Sequence, residues 1–426
     1  MDSFSVTSFN QQMDMGHRST GQPPESNAST QLIHSLSQAT AQYARDELEL
    51  TEMGNRFSKA RVVNLSMGIW EKIKASSNIK YVKLNPTSLF PDNAKTRALL
   101  KEVLNSMPSV ELCCDIIHSV ENIWALRLRF TILQLNLTYL GPDDQIKLLN
   151  NISTGIRELR LILHEPNQKV LDTISTRFRI LDALTINYKQ KNQLTRPFPT
   201  IGSLKTMQIT SEVPGDAMVF APAKPFRDTR ALWFSGIEFE AGLEGSIQPM
   251  APLARELVLV NTSITKTVLQ AHFNNITKLS IHLREGHWHE WAVARDLTKL
   301  RQLFIELPDA DHNFSTSRFN YPQVTHLTIG NINTIDIPFW RWLAQGFPAT
   351  THLSLETNSQ FPDQYDEIIP FRMGLPNLLY LESEIDLSPE TYTDFIDFSP
   401  NIKELSIPAG LFKVHANPNQ APRYQL

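Results

Sequence analysis

Ile276-Thr-Lys-Leu279-Ser-Ile281, Leu300-Arg-Gln-Leu303-Phe-Ile305 and Val324-Thr-His-Leu327-Thr-Ile329 repeat one pattern: an apolar residue, two variable residues, Leu, one variable residue, Ile. The central Leu recurs at a constant step, at positions 279, 303 and 327. A fixed period between about 20 and 50 residues is the mark of a repeat array. Leu and Ile alternating with other residues predict a short strand buried on one face. The residues between strands must then return over the outside as helix or loop. One unit cannot keep its apolar face dry, so neighbours have to stack.

The pattern extends in both directions. Ala254-Arg-Glu-Leu257-Val-Leu259 precedes the trio, and Thr350-Thr-His-Leu353-Ser-Leu355, Leu378-Leu-Tyr-Leu381 and Ile402-Lys-Glu-Leu405-Ser-Ile407 follow it. The central positions are 257, 279, 303, 327, 353, 381 and 405, so the step varies only modestly along the series. Upstream, strands are expected at Ile156–Leu161, Leu181–Ile186, Leu204–Ile209 and Ala231–Phe234. Further upstream they are expected at Val62–Met67, Ile79–Leu84 and Ile123-Trp-Ala-Leu126-Arg-Leu128, with a degenerate unit at Val110–Ile116. The short step between the first two, from Leu65 to Val82, marks an atypical unit. Helices are predicted over Pro91–Met107, from Pro142, over Lys169–Arg177, over Asn333–Ala344 and from Ser388-Pro389. The last of these places a capping Ser before a Pro at the first helical position. Between Asn187 and Leu253 the rhythm loosens, and Pro214, Pro222 and Pro225 forbid a regular helix there. The 211–228 loop is a second candidate contact region, against the alternative of a tolerated insertion.

Four regions follow. Residues 1–36, rich in Ser, Gln, Asn and Thr, form a tail with too little apolar surface to order. Residues 37–61 are expected to be a helical cap on the open end of the array, 62–408 the array itself, and 409–426 a fraying C-terminal tail. The chain has 426 residues and a net charge of −4, so it shows no polybasic footprint for nucleic acid or membrane. Its two cysteines, Cys113 and Cys114, are too few for a disulfide framework and point to a reducing compartment. The N-terminus lacks a signal-peptide pattern, and no apolar run is long enough to span a bilayer. The expected location is cytoplasmic, with the nucleus as the alternative.

The recurring L-x-x-L-x-L skeleton resembles the leucine-rich repeats, over roughly thirteen units from Val62 to Ile407. The variable step and helical connectors resemble the irregular, ribonuclease-inhibitor-like class found in many F-box proteins. The resemblance implies an α/β solenoid, a curved parallel sheet with helices and loops on its convex side, and a role in binding protein partners. The family's Asn ladder is mostly missing, since Asn261 and Asn331 stand off its usual position. No Leu-Pro-x-Glu-hydrophobic F-box opening occurs between Met1 and Ala60. The resemblance therefore supports the array rather than a ligase adaptor.

In such an array the variable residues beside the central Leu point to the concave face. One ladder there reads Gln302, His326, His352, Tyr380, Glu404; another reads His282, Glu306, Gly330, Glu356, Glu384; the row between them includes Phe304 and Glu382. The matching positions of early strands hold Lys83, Arg127, Arg129 and Arg160. The face is thus expected to be basic at its N-terminal end and acidic at its C-terminal end, ready for a partner of complementary charge. The alternative is a solvated sheet face kept soluble by its charges. His282-Leu-Arg-Glu-Gly-His287-Trp-His289 suggests zinc, but repeat spacing puts His287 and His289 in an outer connector, so no metal site is expected. His326 and His352 form a candidate pH-sensitive pair. Cys113 and Cys114 read as buried apolar residues rather than nucleophiles. No nucleotide, metalloprotease or hydrolase motif occurs, so no cofactor and no catalytic residue is assigned. The sequence reads as a non-enzymatic protein–protein interaction module. A substrate receptor docking on a ubiquitin-ligase scaffold is one alternative, and an enzyme with an unrecognised site is the other.

Overall fold

The structure is a computed structural model and describes residues 48–51, 59–62, 71, 73, 79–84, 94–107, 109–114, 130–190, 197–212, 218–239, 243, 249–262, 264–282, 297–307, 320–332, 337–357, 375–385, 399–407 and 410–413. Its strands are β1 (Leu48–Thr51), β2 (Lys59–Val62), β3 (Tyr81–Leu84), β4 (Ser109–Cys114), β5 (Ile132–Asn136), β6 (Glu158–Leu163), β7 (Ala183–Tyr188), β8 (Thr206–Ser211), β9 (Met218–Phe220) and β10 (Ala231–Ser235). There follow β11 (Ile237–Phe239), β12 (Glu256–Val260), β13 (Lys278–His282), β14 (Gln302–Glu306), β15 (His326–Ile332), β16 (His352–Thr357), β17 (Tyr380–Ser383), β18 (Glu404–Ile407) and β19 (Gly410–Lys413). Seventeen of them make one sheet, and β9 and β11 form a separate parallel pair. In the large sheet every pairing from β2 to β18 is parallel and follows chain order.

The register is that of a repeat. Leu257, Leu279, Leu303, Leu327, Leu353, Leu381 and Leu405 are successive partners across seven strands. None is more than 3% exposed. Burying each such side chain contributes roughly 1.5–3 kcal/mol, and only the neighbouring repeat supplies the cover. The backbone repeats as closely. The carbonyls of Thr131, Arg157, Asp182, Lys205, Arg230, Arg255, Thr277, Arg301, Thr325, Thr351 and Leu379 each accept two N–H groups from the start of the next strand. An equivalent left-handed residue follows β10 and β12 and sits at the bulge of β15: Gly236, Asn261 and Asn331, at the same offset past the central apolar position, have φ of 63°, 48° and 59°. Gly and Asn are the residues that adopt this left-handed region most readily. A Cβ on Gly236 would lie 2.5 Å from the Ser211 carbonyl oxygen. Asn331 Nδ2 donates to the Leu307 carbonyl at 2.7 Å, so it satisfies the previous repeat's backbone from a position other than the family's usual one.

Helices cover the outer side. Helix Pro142–Asn151 begins with Pro in its first turn and Asp143 and Asp144 at its positive end. Helix Gln168–Arg177 is capped by Asn167, whose side chain accepts from the Lys169 and Val170 N–H groups. These two helices are in contact. Helices pack about 8–10 Å apart and strands about 4.8 Å, so stacking both bends the array with the sheet inside. Around β8 to β12 phenylalanines fill the core. Phe198, Phe220, Phe226 and Phe234 are buried with ring centroids 5.2–6.5 Å apart, and Phe239 and Phe273 extend the cluster. Phe220 and Phe226 thus turn inward, so this part of the 211–228 loop builds core; residues 213–217 lie outside the described residues.

Three expectations are corrected. The cap is not helical over its described residues: β1 pairs antiparallel with β2, Leu48 opposite Val62 and Leu50 opposite Ala60. Leu48-Glu-Leu-Thr alternates with period two, which favours a strand over a helix. At the far end β19 also pairs antiparallel with β18, so a reversed strand covers each outermost parallel edge. Second, the first repeat strand is Lys59–Val62, with Ala60 opposite Val82, a step in line with the later repeats; the unit is regular, and residues 63–67 lie outside the described residues. Third, the sheet passes directly from β4 to β5, with Leu112 opposite Leu133. Phe130-Thr-Ile-Leu133-Gln-Leu135 supplies the pattern of this repeat, and the strand expected at 123–128 lies outside the described residues. The segment expected to be degenerate, Val110–Ile116, contains β4, which is paired on both sides. The helix expected from Ser388 lies outside the described residues.

Candidate functional site

The two ends of the open sheet face differ in how their charges are matched. At the N-terminal end β4 places Glu111, 3% exposed, on the face. Lys83 Nζ lies 3.0 Å and Arg160 Nη1 3.5 Å from Glu111 Oε1. The Tyr81 hydroxyl donates to the other carboxylate oxygen, and the Cys113 thiol donates to Oε1 at 3.1 Å. Arg160 also holds Glu158 Oε1 at 2.6 Å through Nη2. Burial opposes the charge on Glu111, but the Tyr81 and Cys113 hydrogen bonds and the Lys83 cation outweigh it and hold the carboxyl below its ordinary range. Burial and the Glu111 charge push the Cys113 thiol up to about 12, which keeps it protonated and unreactive. Two cations therefore meet two carboxylates, so Lys83 and Arg160 do not make an open basic surface. Arg127 and Arg129 lie outside the described residues. So do His287 and His289.

At the C-terminal end two of the ladders read from sequence are register rows throughout, and the third, from His282 through Glu306, is in register as far as Gly330. Gln302, His326, His352, Tyr380 and Glu404 are consecutive register partners, as are Phe304, Thr328, Ser354, Glu382 and Ser406. The rings stack. His326 and His352 have centroids 4.0 Å apart at 8°, and His352 and Tyr380 4.5 Å apart at 21°. A repeated Thr-His pair fixes them. The Thr351 hydroxyl donates to the Thr325 carbonyl at 3.0 Å and sits 2.9 Å from His352 Nδ1. The Thr325 hydroxyl likewise reaches the Arg301 carbonyl at 3.3 Å and His326 Nδ1 at 3.0 Å. A hydroxyl has one proton; given to the carbonyl, it leaves Nδ1 as the donor and Nε2 as the acceptor. Sequence reasoning missed these threonines, although Thr-His before the central Leu in two successive repeats is their signal. Phe304 stands 5.5 Å from the His282 ring, and His282 Nδ1 pairs with a Glu306 carboxylate oxygen. A shallow pocket of about 320 Å³ opens on this face, lined by Glu256, Lys278, Gln302, Phe304, His326 and Thr328 among others.

Glu356 shows the state of the acidic end. Gly330, its neighbour on β15, has no side chain, and a Cβ there would come 3.2 Å from the Phe304 ring and 3.6 Å from Glu356 Oε2. The Phe304 ring and the Glu356 carboxylate thus both approach the space that a side chain at Gly330 would fill. Burial, then the charges of Glu384, Glu382 and Glu306, push the Glu356 carboxyl up to about 7. A carboxyl raised in the folded state costs nothing below its unfolded value near 4.5 and costs most above its folded value, so stability should fall between these pH values. Glu356→Gln should remove this slope and stabilise the protein by about 1–2 kcal/mol above pH 7, after allowing for solvent screening. Urea unfolding of both proteins across pH 4–8 checks it; parallel curves would contradict it.

Among the described residues no helix is long and apolar enough to cross a membrane. No protein-family profile and no curated protein matches the sequence. Among solved structures the chain aligns with an internalin, InlF, from Listeria monocytogenes at 12% identity and a TM-score of 0.31, over 82% of this chain and 86% of that one. It also aligns with CroV588, a circular leucine-rich repeat protein, at 13% identity and a TM-score of 0.31, over 78% of this chain and 53% of that one. The chain therefore spans about half of the second protein. The fold is read from the chain's own register: with a leucine row shared across seven strands of one long parallel sheet, the protein has the architecture of a leucine-rich-repeat solenoid.

Proposed function

We propose that the protein is a non-enzymatic recognition module that seats a partner protein on the concave face between β12 and β18. The observation that carries this reading is the side-chain array held there by a rigid ladder: Phe304 beside the pocket, the His326–His352–Tyr380 stack, and a flanking row of carboxylates. Aromatic rings on a stiff scaffold supply contact area at low entropic cost. The other members of the surface are His282, Glu306, Glu356, Glu382 and Glu384. At the opposite end Lys83 and Arg160 work as parts of an internal charge network. Affinity capture from cell extract tests the reading. Phe304→Asp and Tyr380→Asp should each lower recovery of co-purifying proteins at least tenfold, while Lys147→Ala on an outer helix should not. Equal recovery by all three would remove the concave face from the account. A ubiquitin-ligase scaffold among the face-dependent proteins would sharpen the reading to a ligase substrate receptor.

A further inference from the structure

We propose that the concave face over β14 to β18 is the seat of an extended, arginine-bearing segment of a partner protein. This rests on the recognition reading above and names the chemistry selected. The first argument is charge. Face positions of these five strands carry Glu306, Glu356, Glu382, Glu384 and Glu404, and no Lys or Arg among the described residues. Among the described side chains the cation bordering this face is Lys278, on the strand before it and the register partner of Gln302. The same protein surrounds Glu111 with Lys83 and Arg160 at its other end. Glu306 alone of the row is paired with a group able to take positive charge, His282, among the described residues.

The second argument is hydrogen-bonding sense. The carboxylates only accept, and the threonine contacts leave Nε2 of His326 and His352 as acceptors too. A matching ligand must bring many donors. The third argument is shape. The ring stack ends at Tyr380, 37% exposed, with Glu404 beside it on the same ladder and Glu382 on the next row of its own strand. A guanidinium can lie flat on such a ring and hold a carboxylate through two parallel N–H bonds; an ammonium does neither as well. Crowding adds a linkage. Glu356 titrates among Glu306 with its His282 partner, Glu382 and Glu384, with His326 and His352 on the neighbouring row. A bound cation favours its ionised form, so binding should release protons and tighten as pH rises from 6 to 8.

The test uses the full chain and fluorescence anisotropy with three labelled ten-residue peptides, alternating Ser with Arg, Lys or Glu, at physiological salt. The Arg peptide should bind, the Lys peptide at least fivefold more weakly, and the Glu peptide not at all. A Glu382→Gln/Glu384→Gln double variant should weaken the Arg peptide at least tenfold. An Asp143→Asn/Asp144→Asn double variant, with the same charge change on an outer helix, should leave it unchanged. Glu356→Gln should flatten the pH dependence. Equal weakening by both double variants, equal binding of Lys and Arg peptides, or displacement of the Arg peptide by calcium at micromolar concentration would overturn the proposal. If no peptide binds while Phe304→Asp still strips partners in the capture experiment, the cationic ligand falls and the recognition face stands; if neither responds, both fall.

Discussion

Glu111→Ala is expected to lower the stability of the protein by about 2–4 kcal/mol at pH 7. The carboxylate is almost fully buried and holds a hydroxyl, a thiol and two cations. Removing one member of a buried charge network leaves the others desolvated without their counter-charge. Lys83 and Arg160 are each about one-third exposed, 35% and 34%, which lets water recover part of the loss and sets the range below that of a fully enclosed pair. Glu111→Gln should cost less, since its amide oxygen still accepts from one of the two donors, Tyr81 or Cys113. The pH dependence has a definite sign. A carboxyl held below its unfolded value contributes stability above that value, near 4.5, and loses it as pH falls through the lower folded one. Acid unfolding should therefore be shallower in Glu111→Gln than in the parent. Urea titrations at pH 7 and pH 4 measure both effects, and an unchanged midpoint for the alanine variant would show that the network contributes nothing.

Phe220→Ala is expected to cost roughly 3–5 kcal/mol. Its ring is fully buried and stands 5.4 Å from Phe198, 5.2 Å from Phe234, 6.5 Å from Phe226 and 6.1 Å from Phe239. These rings pack on one another, so alanine leaves a cavity that its buried neighbours cannot fill without losing their own ring contacts. Repeats depend on their neighbours, so the loss should show as local opening around β8 to β12 before the whole array unfolds. Hydrogen exchange resolves this: amides of β8, β10 and β12 should lose protection while those of β14 to β16 keep it. Uniform loss would mean the array unfolds as one unit. Phe304→Ala is the contrast, since removing its partly buried ring should cost partner capture and less stability.

Two of the C-terminal ladders were legible because Leu-x-Ile recurs there on a near-constant step; the third loses its register past Ile329, where β15 bulges against β16. His326 against His352, and Tyr380 against Glu404, follow from counting alone. The N-terminal end resisted for physical reasons. β4 buries Val110, Glu111, Leu112, Cys113 and Cys114 in succession, so the alternation that marks a strand disappears. The cause is that Glu111 and Cys113 are covered by Tyr81, Lys83 and Arg160, which come from other repeats and which no local pattern shows. Leu133-Gln-Leu135 repeats the pattern of Leu126-Arg-Leu128, which lies outside the described residues, so pattern alone does not single out β5. The sign of the C-terminal face was readable from its glutamates. The uptake of positive charge into the Glu111 network was not, because it depends on pairing across strands.

Everything depends on adjacent repeats lying side by side with their central leucines in one row. Short bifunctional thiol cross-linking tests this most directly, using cysteines placed at register partners on the open face. Thr328→Cys with Ser354→Cys, about 4.8 Å apart on neighbouring strands, should join efficiently with a reagent of about 5 Å span. Ser280→Cys with Ser354→Cys, three strands and about 14 Å apart, should not. Joining of the distant pair in preference to the near one would contradict the stacked ladder and, with it, the docking face.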